Sequence, residues 1–233
     1  MKSKVLFLLT VFAFATTSIF AQKWSDAAID SLIAKMSIEE KVGQMTQIDL
    51  GVVAEGGICN LKQPQRIDIA KLQEAIGKYK IGSILNVGCG SGTISRENWQ
   101  KIFTAIQSET KNTKLQIPII FGIDAIHGNN YTIGATLFPQ QIAQAATWNP
   151  DLVKQGYEVT AYEARASGIP WNFSPVLDLG RQPLWSRFFE TFGEDVLLAN
   201  KMTVAAISGL QGDNQYSPYH VAACMKHFLG YSM

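Results

Sequence analysis

The 233-residue sequence predicts an α/β fold built on a parallel sheet, and three observations carry that prediction. Five short apolar runs rich in β-branched residues recur along the chain. Each is reached through a stretch with helical periodicity. The runs are nearly continuous in their apolar character instead of alternating, as strands are when helices cover a sheet from outside. A closed (β/α)8 barrel and an open doubly wound sheet both satisfy these observations. Eight strand-helix units of the length seen here exceed the chain, so a barrel would be partial, with about five of its strands present.

The elements follow in order. Residues 1–21 read as an export signal, with Lys2 and Lys4 ahead of the apolar run 5–15 and small or polar residues before Ala21. That run is too short to span a bilayer, and no later segment is apolar enough to cross one. The residue next to the expected cut is Gln22 and not a cysteine, which argues against a lipid anchor. The mature chain is expected to be 22–233, exported to the periplasm or beyond. Ile29, Leu32, Ile33 and Met36 then share one helical face. Ser37 and Glu40 form a capping-box pattern that opens a second helix carrying Ile38, Val42 and Met45.

Residues 46–53 read as the first strand. A helix at 64–78 leads to a strand at 81–87, and Trp99, Ile102, Phe103 and Ile106 mark a helix before the strand at 116–124. Helical stretches at 140–146 and 151–167 lead to a strand at 171–178. A helix at 194–210 leads to the last strand, 220–228. The most irregular stretch is 54–63, and neither a repeat of fixed period nor a linker-like segment interrupts the alternation.

At 47% hydrophobic residues the chain is able to bury a core. Removing Lys2 and Lys4 with the signal leaves 18 basic against 19 acidic side chains, a net charge of −1. Such a balance excludes the broad basic face that nucleic-acid binding requires. Cys59, Cys89 and Cys224 are odd in number and widely spaced, so they make no metal motif, allow at most one disulfide and read as structural.

Ionisable residues gather where the strands end. Asp124 and His127 follow the third strand, Asp178 and Arg181 the fourth, and Lys226 and His227 close the fifth. Chemistry in parallel α/β sheets collects at the carboxyl ends of strands, where loops converge. Singly, each residue has an ordinary reading. Asp124 suits a turn cap; Arg181 and Arg187 suit surface pairs with Glu190, Glu194 or Asp195; His227 suits a core position. Together at one end of one sheet they point to a common ligand. Vicinal sugar hydroxyls need both acceptor and donor, and Asp124 accepts while Arg187, Lys226 and His227 donate. A phosphate would be repelled by Asp124. Trp148, Trp171 and Trp185 are candidate platforms for a pyranose ring.

Gly88, Gly90 and Gly92 offer a competing motif, since they follow a strand and precede a helix. The third glycine comes one residue early for a dinucleotide loop, and Asp124 lies 36 residues past Gly88, against about 20 in that motif. Export also separates the chain from nicotinamide cofactors. A dinucleotide-dependent oxidoreductase is therefore the remote alternative, and no cofactor is expected.

Three stretches, GIDAIHG at 122–128, NFSPVLDLGRQPLWSRFFETFGED at 172–195 and MKHF at 225–228, resemble motifs of glycoside hydrolase family 3, the β-glucosidase and exo-glucanase family. The opening of the chain and GNNYTIGATLFPQQIAQAATWNPDL at 128–152 resemble enzymes of gut-type Bacteroidetes bacteria. The resemblance implies a first domain of (β/α)8 TIM-type, followed by an α/β sandwich, with the site between them. It implies that Asp124 binds hydroxyls at the far side of the terminal sugar, that Arg187 assists, and that Lys226 and His227 hold hydroxyls nearer the reacting carbon. The implied activity is hydrolysis of terminal non-reducing β-D-glucosyl residues by a retaining mechanism, without metal or cofactor, on β-glucosides or oligosaccharides. In the family the nucleophilic aspartate sits on a later strand and the acid/base further on, so both are expected beyond residue 233. Residues 22–233 are then an incomplete N-terminal barrel domain, partnered by the rest of the same enzyme and nearly inactive alone. A non-catalytic exported sugar-binding remnant is the alternative from another class.

Overall fold

The computed structural model describes residues 24–88, 92–214 and 216–232. The expected export signal at 1–21, Cys89 and Gly90 lie outside the described residues. Ser25 caps α1 (Asp26–Ala34) by accepting from the Ala28 amide. The capping box before α2 (Ile38–Gln44) is complete. The Glu40 amide donates to Ser37 Oγ at 3.2 Å, and the Ser37 amide donates to Glu40 Oε2 at 2.9 Å.

The first strand is shorter than its apolar run predicts. β1 (Gln47–Asp49) stops where the Asp49 carboxylate accepts the Gly51 amide at 2.7 Å. That side chain supplies a helix cap in place of a ladder bond, so Leu50 and Val53 are buried on the helical turn α3 (Leu50–Val53). The next helix starts later than expected for the same reason. Asp68 caps α4 (Ile69–Gln73), which runs on through a π-turn at Glu74–Lys78. There follow β2 (Ser83–Leu85), α5 (Arg96–Thr110), β3 (Ile120–Ile123), α6 (Gln141–Ala145) and α7 (Pro150–Ala166). Asn149 caps α7 and Pro150 opens it, where a missing amide hydrogen costs nothing. β4 (Trp171–Asn172), a 3-10 turn at Phe188–Glu190, α8 (Val196–Gln211) capped by Asp195, and β5 (Ala222–Ala223) complete the order.

All five strands are parallel in one sheet, in the order β1-β2-β3-β4-β5. A doubly wound sheet reverses its order at a switch point, whereas this one never does, which makes it part of a (β/α)8-type barrel. β4 is shorter than the predicted 171–178 because two buried amide side chains take over the pairing. Asn172 Nδ2 donates to the Ala125 carbonyl at 2.9 Å and its Oδ1 accepts the Ala125 amide at 3.0 Å. Gln141 does the same with Val176, at 3.0 and 2.9 Å. Beyond the ladder Val176 bridges to Lys226, so the segments from β4 and β5 stay side by side to the level where the polar residues begin.

The core lies between the sheet and its helices. Trp99, Phe103 and Phe121 pack with ring centroids 5.2 to 5.4 Å apart. Ile84, Ile123, Ile106, Met202 and Leu210 are fully enclosed, each stabilising by about 1.5 to 3 kcal/mol on transfer bookkeeping. Gly209 lets α8 approach α7 closely, since a Cβ there would meet the Lys154 carbonyl oxygen at 2.4 Å. Among the described residues, no helix is long and apolar enough to cross a membrane.

Candidate active site

The carboxyl ends of the strands carry Asp49, Asn86, Asp124, Asp178 and the Lys226-His227 pair. Asn86 follows β2 in the left-handed region, at φ 47°, a conformation asparagine tolerates. From there its Nδ2 donates to Asp124 Oδ2 at 2.6 Å, and its Oδ1 accepts the Asp124 amide at 2.9 Å. The other Asp124 oxygen takes a hydrogen bond from Lys226 Nζ, forming an ion pair across β4. β3 and β5 are two strands apart, and adjacent strands lie about 4.8 Å apart. The pair therefore closes over a concave sheet face. The Lys226 side chain is 11% exposed and that of Asp124 32%, leaving the carboxylate open to a ligand.

A second set lies on the far side of β4. His227 Nδ1 and Asp178 Oδ2 are 2.7 Å apart. Arg187 grips Glu190 with two hydrogen bonds, at 2.8 and 2.5 Å, and its NH1 donates to the Tyr231 hydroxyl at 3.3 Å. The Glu190 bonds, aided by Tyr231, raise the Arg187 pKa against the opposing effect of burial, so the guanidinium is permanently charged. Tyr231 in turn stands 4.7 Å from the His227 ring and 5.3 Å from Trp185, edge to face with the latter. A cleft of about 570 Å³ opens here, lined by Asp178, Arg181, His227 and Leu229 among others.

Tyr131 reports how closely the two sets share one region. Its phenol is pushed up to about 12, first by burial and then by the carboxylates of Asp124, Asp49 and Glu190. Asp49 is itself held by two backbone donors, the amides of Gly51 at 2.7 Å and Gly88 at 3.1 Å.

Asp124 and Lys226 are thus brought together directly, and Arg187 meets His227 through Tyr231. Arg181 is exposed and takes no ion pair among the described residues. Asp195 caps α8 instead of facing the site. His127 staples its own loop, its Nδ1 3.0 Å from the Phe138 carbonyl oxygen. Trp171 sits at the start of β4 against Phe173, away from the polar end, which removes it as a sugar platform; Trp185 alone of the three joins the site cluster. Sequence reasoning missed Asn86, Tyr131 and Tyr231. Asn86 was available by the same strand-end rule that found Asp124, whereas nothing local marks the two tyrosines. Among the described residues no three His, Cys, Asp or Glu side chains cluster to hold a metal ion.

The model of the glycosyl hydrolase family 3 N-terminal domain matches residues 37–233. The chain belongs to this family. Relatives of this family 3 chain include the lysosomal β-glucosidase of Dictyostelium discoideum, 39% identical over 89% of the chain and 26% of that protein. The periplasmic β-glucosidase of Salmonella typhimurium is 30% identical over 88% of the chain and 23% of its own length. The solved exo-1,3/1,4-β-glucanase of a Pseudoalteromonas species superposes with a TM-score of 0.73 at 31% identity, covering 88% of this chain and 25% of that one. The family 3 chain spans about a quarter of the length of these relatives. The superposition shows that the fold described above is shared with that glucanase.

Proposed function

We propose that this chain holds the terminal sugar of a β-glucoside at the carboxyl end of its sheet, as the glycone-binding part of an exported retaining β-glucosidase. The observation that carries the reading is the Asp124–Lys226 pair. Each Asp124 oxygen has one protein partner and room for another, and the ammonium has two protons left over, so the pair accepts and donates to neighbouring hydroxyls at once. Arg187 adds donors on the far side and His227 a ring nitrogen, with Tyr231 and Trp185 as apolar surface.

Retention requires two carboxyl groups about 5 to 5.5 Å apart, one free to attack and one to protonate the leaving oxygen. The carboxylates described at this face are already engaged: Asp124 with Lys226 and Asn86, Asp178 with His227, Glu190 with Arg187, and Asp49 with two amides. They are therefore read as gripping and positioning groups, and the cutting pair is assigned to other parts of a longer protein. The partner of residues 22–233 is then the remainder of that enzyme. The basic and apolar character of 1–21, together with the periplasmic relative, supports export.

Calorimetric titration with D-glucose tests the grip. Binding by the chain, lost in Asp124→Ala, is the expected result; affinity that is absent, or indifferent to Asp124, would remove the reading.

A further inference from the structure

Asp178 is the most enclosed ion-pairing carboxylate of this face, its side chain 4% exposed beside a His227 side chain that is 29% exposed. One oxygen, Oδ2, takes two contacts from the same residue. The His227 backbone amide donates to it at 3.2 Å, and ring Nδ1 lies 2.7 Å away. An ionised carboxylate is only an acceptor, so a nitrogen at that distance must carry the proton. The main chain and the ring of His227 are thus fastened to one anchor, and Tyr231 stands against the ring, the two centroids 4.7 Å apart with planes tilted by 55°. Asp178 comes from the segment after β4 and His227 from the segment after β5, which run together through the Val176–Lys226 bridge and the bond from the Leu177 amide to the Lys226 carbonyl at 2.6 Å.

We infer that Asp178 is a positioning residue that holds His227 with its proton on Nδ1 and thereby turns Nε2 towards the bound sugar. The nitrogen that bears hydrogen in an imidazole is set by the partner of the other one. Neutral His227 consequently offers the ligand an acceptor at Nε2, and only its protonated form offers a donor. Sequence reasoning makes it a donor without distinction. The inference rests on the reading of His227 as a sugar contact, but its first half is testable without any sugar.

Long-range 1H–15N correlation spectra of the full chain, at a pH where imidazoles are neutral, report the tautomer of each histidine directly. His227→Gln identifies the signals of interest among those of His127, His220 and His227. The wild type is expected to show the Nδ1–H form at His227, and Asp178→Leu, which fills the space without an acceptor, to release it to the Nε2–H form that histidine prefers in water. An Nε2–H form in the wild type overturns the inference, as does an unchanged tautomer in a folded Asp178→Leu protein. If the leucine variant fails to fold, Asp178→Ala removes the acceptor in the same way, and the wild-type spectrum decides independently. Addition of D-glucose should shift the Nε2 resonance, and Asp178→Leu should weaken glucose binding about tenfold. The Nδ1–H form without any glucose-dependent shift would overturn the presentation to sugar while leaving the Asp178 contact in place, which separates the two failures.

Discussion

The two ends of the same five strands are built from opposite materials. At the carboxyl ends, charged and polar side chains from separate strands answer one another: Asn86 with Asp124, Asp124 with Lys226, Asp178 with His227. At the amino ends the contacts are backbone approaches. A Cβ on Gly82 would lie 2.1 Å from the Gln44 carbonyl oxygen, and one on Gly43 2.4 Å from that of Lys80. The side chains that help there are uncharged amides bonded to carbonyls, Gln44 to Lys80 at 3.3 Å and Gln107 to Ile119 at 2.9 Å. Close backbone packing fixes geometry and leaves nothing for a ligand. Charged pairs only partly satisfied leave lone pairs and protons free. One end therefore holds the fold and the other is available for chemistry, as parallel barrels divide their labour.

The strongest way to break that comparison is Gly82→Ala. The new methyl meets backbone, which cannot swing aside, so a loss of about 3 kcal/mol in urea unfolding is expected, with glucose affinity unchanged in whatever folds. Ordinary stability would show that the amino end is not tightly set. Next in size, Asp124→Ala or Lys226→Ala, in a protein extended to full catalytic competence, should each lower kcat/KM on an aryl β-glucoside by more than about tenfold, roughly 1.4 kcal/mol or more, while unfolding free energy falls by less than for Gly82→Ala. Near-normal kinetics would sink the assignments. Ser37→Ala removes half of the capping box before α2 and should cost about 1 kcal/mol of stability, with no change in sugar binding.

A further test uses alkali. The Tyr131 phenol is raised to about 12 in the fold against its ordinary 10.0. A group whose folded pKa is raised contributes stability that is complete below the unfolded value and declines as pH climbs from about 10 towards about 12. Ultraviolet phenolate absorbance should show two tyrosines, Tyr131 and the buried Tyr157, titrating later than the exposed ones only while the protein is folded; titration of Tyr131 with the exposed tyrosines would contradict its burial. The smallest effect is expected at Val42→Ser. Val42 is exposed on α2 and makes none of the contacts of either end, so a change within about 0.5 kcal/mol is expected in the same unfolding assay.

Much of this was legible in advance because it is local. Helical periodicity and the Ser37–Glu40 spacing mark α1 and α2 from neighbours three and four residues apart, and Asp195 announces the start of α8 in the same way. The strand-end rule found Asp124, Lys226 and His227 because strand direction alone decides which end their residues occupy. Local pattern failed at 46–53, where an apolar run cannot reveal that the Asp49 side chain will capture the Gly51 amide and turn the chain into a helix.

The sequence by itself determined the alternation of strand and helix and the residue types gathered at one end, since both follow from backbone geometry within a few residues. Only the tertiary structure decided which of those groups meet. Asp124 and Lys226 are 102 residues apart in the chain, and their contact exists because a sequentially ordered parallel sheet curves, bringing the ends of alternate strands together over its concave face. The direct pairing of β4 with β5 set Asp178 beside His227, and gave the histidine a direction as well as a place.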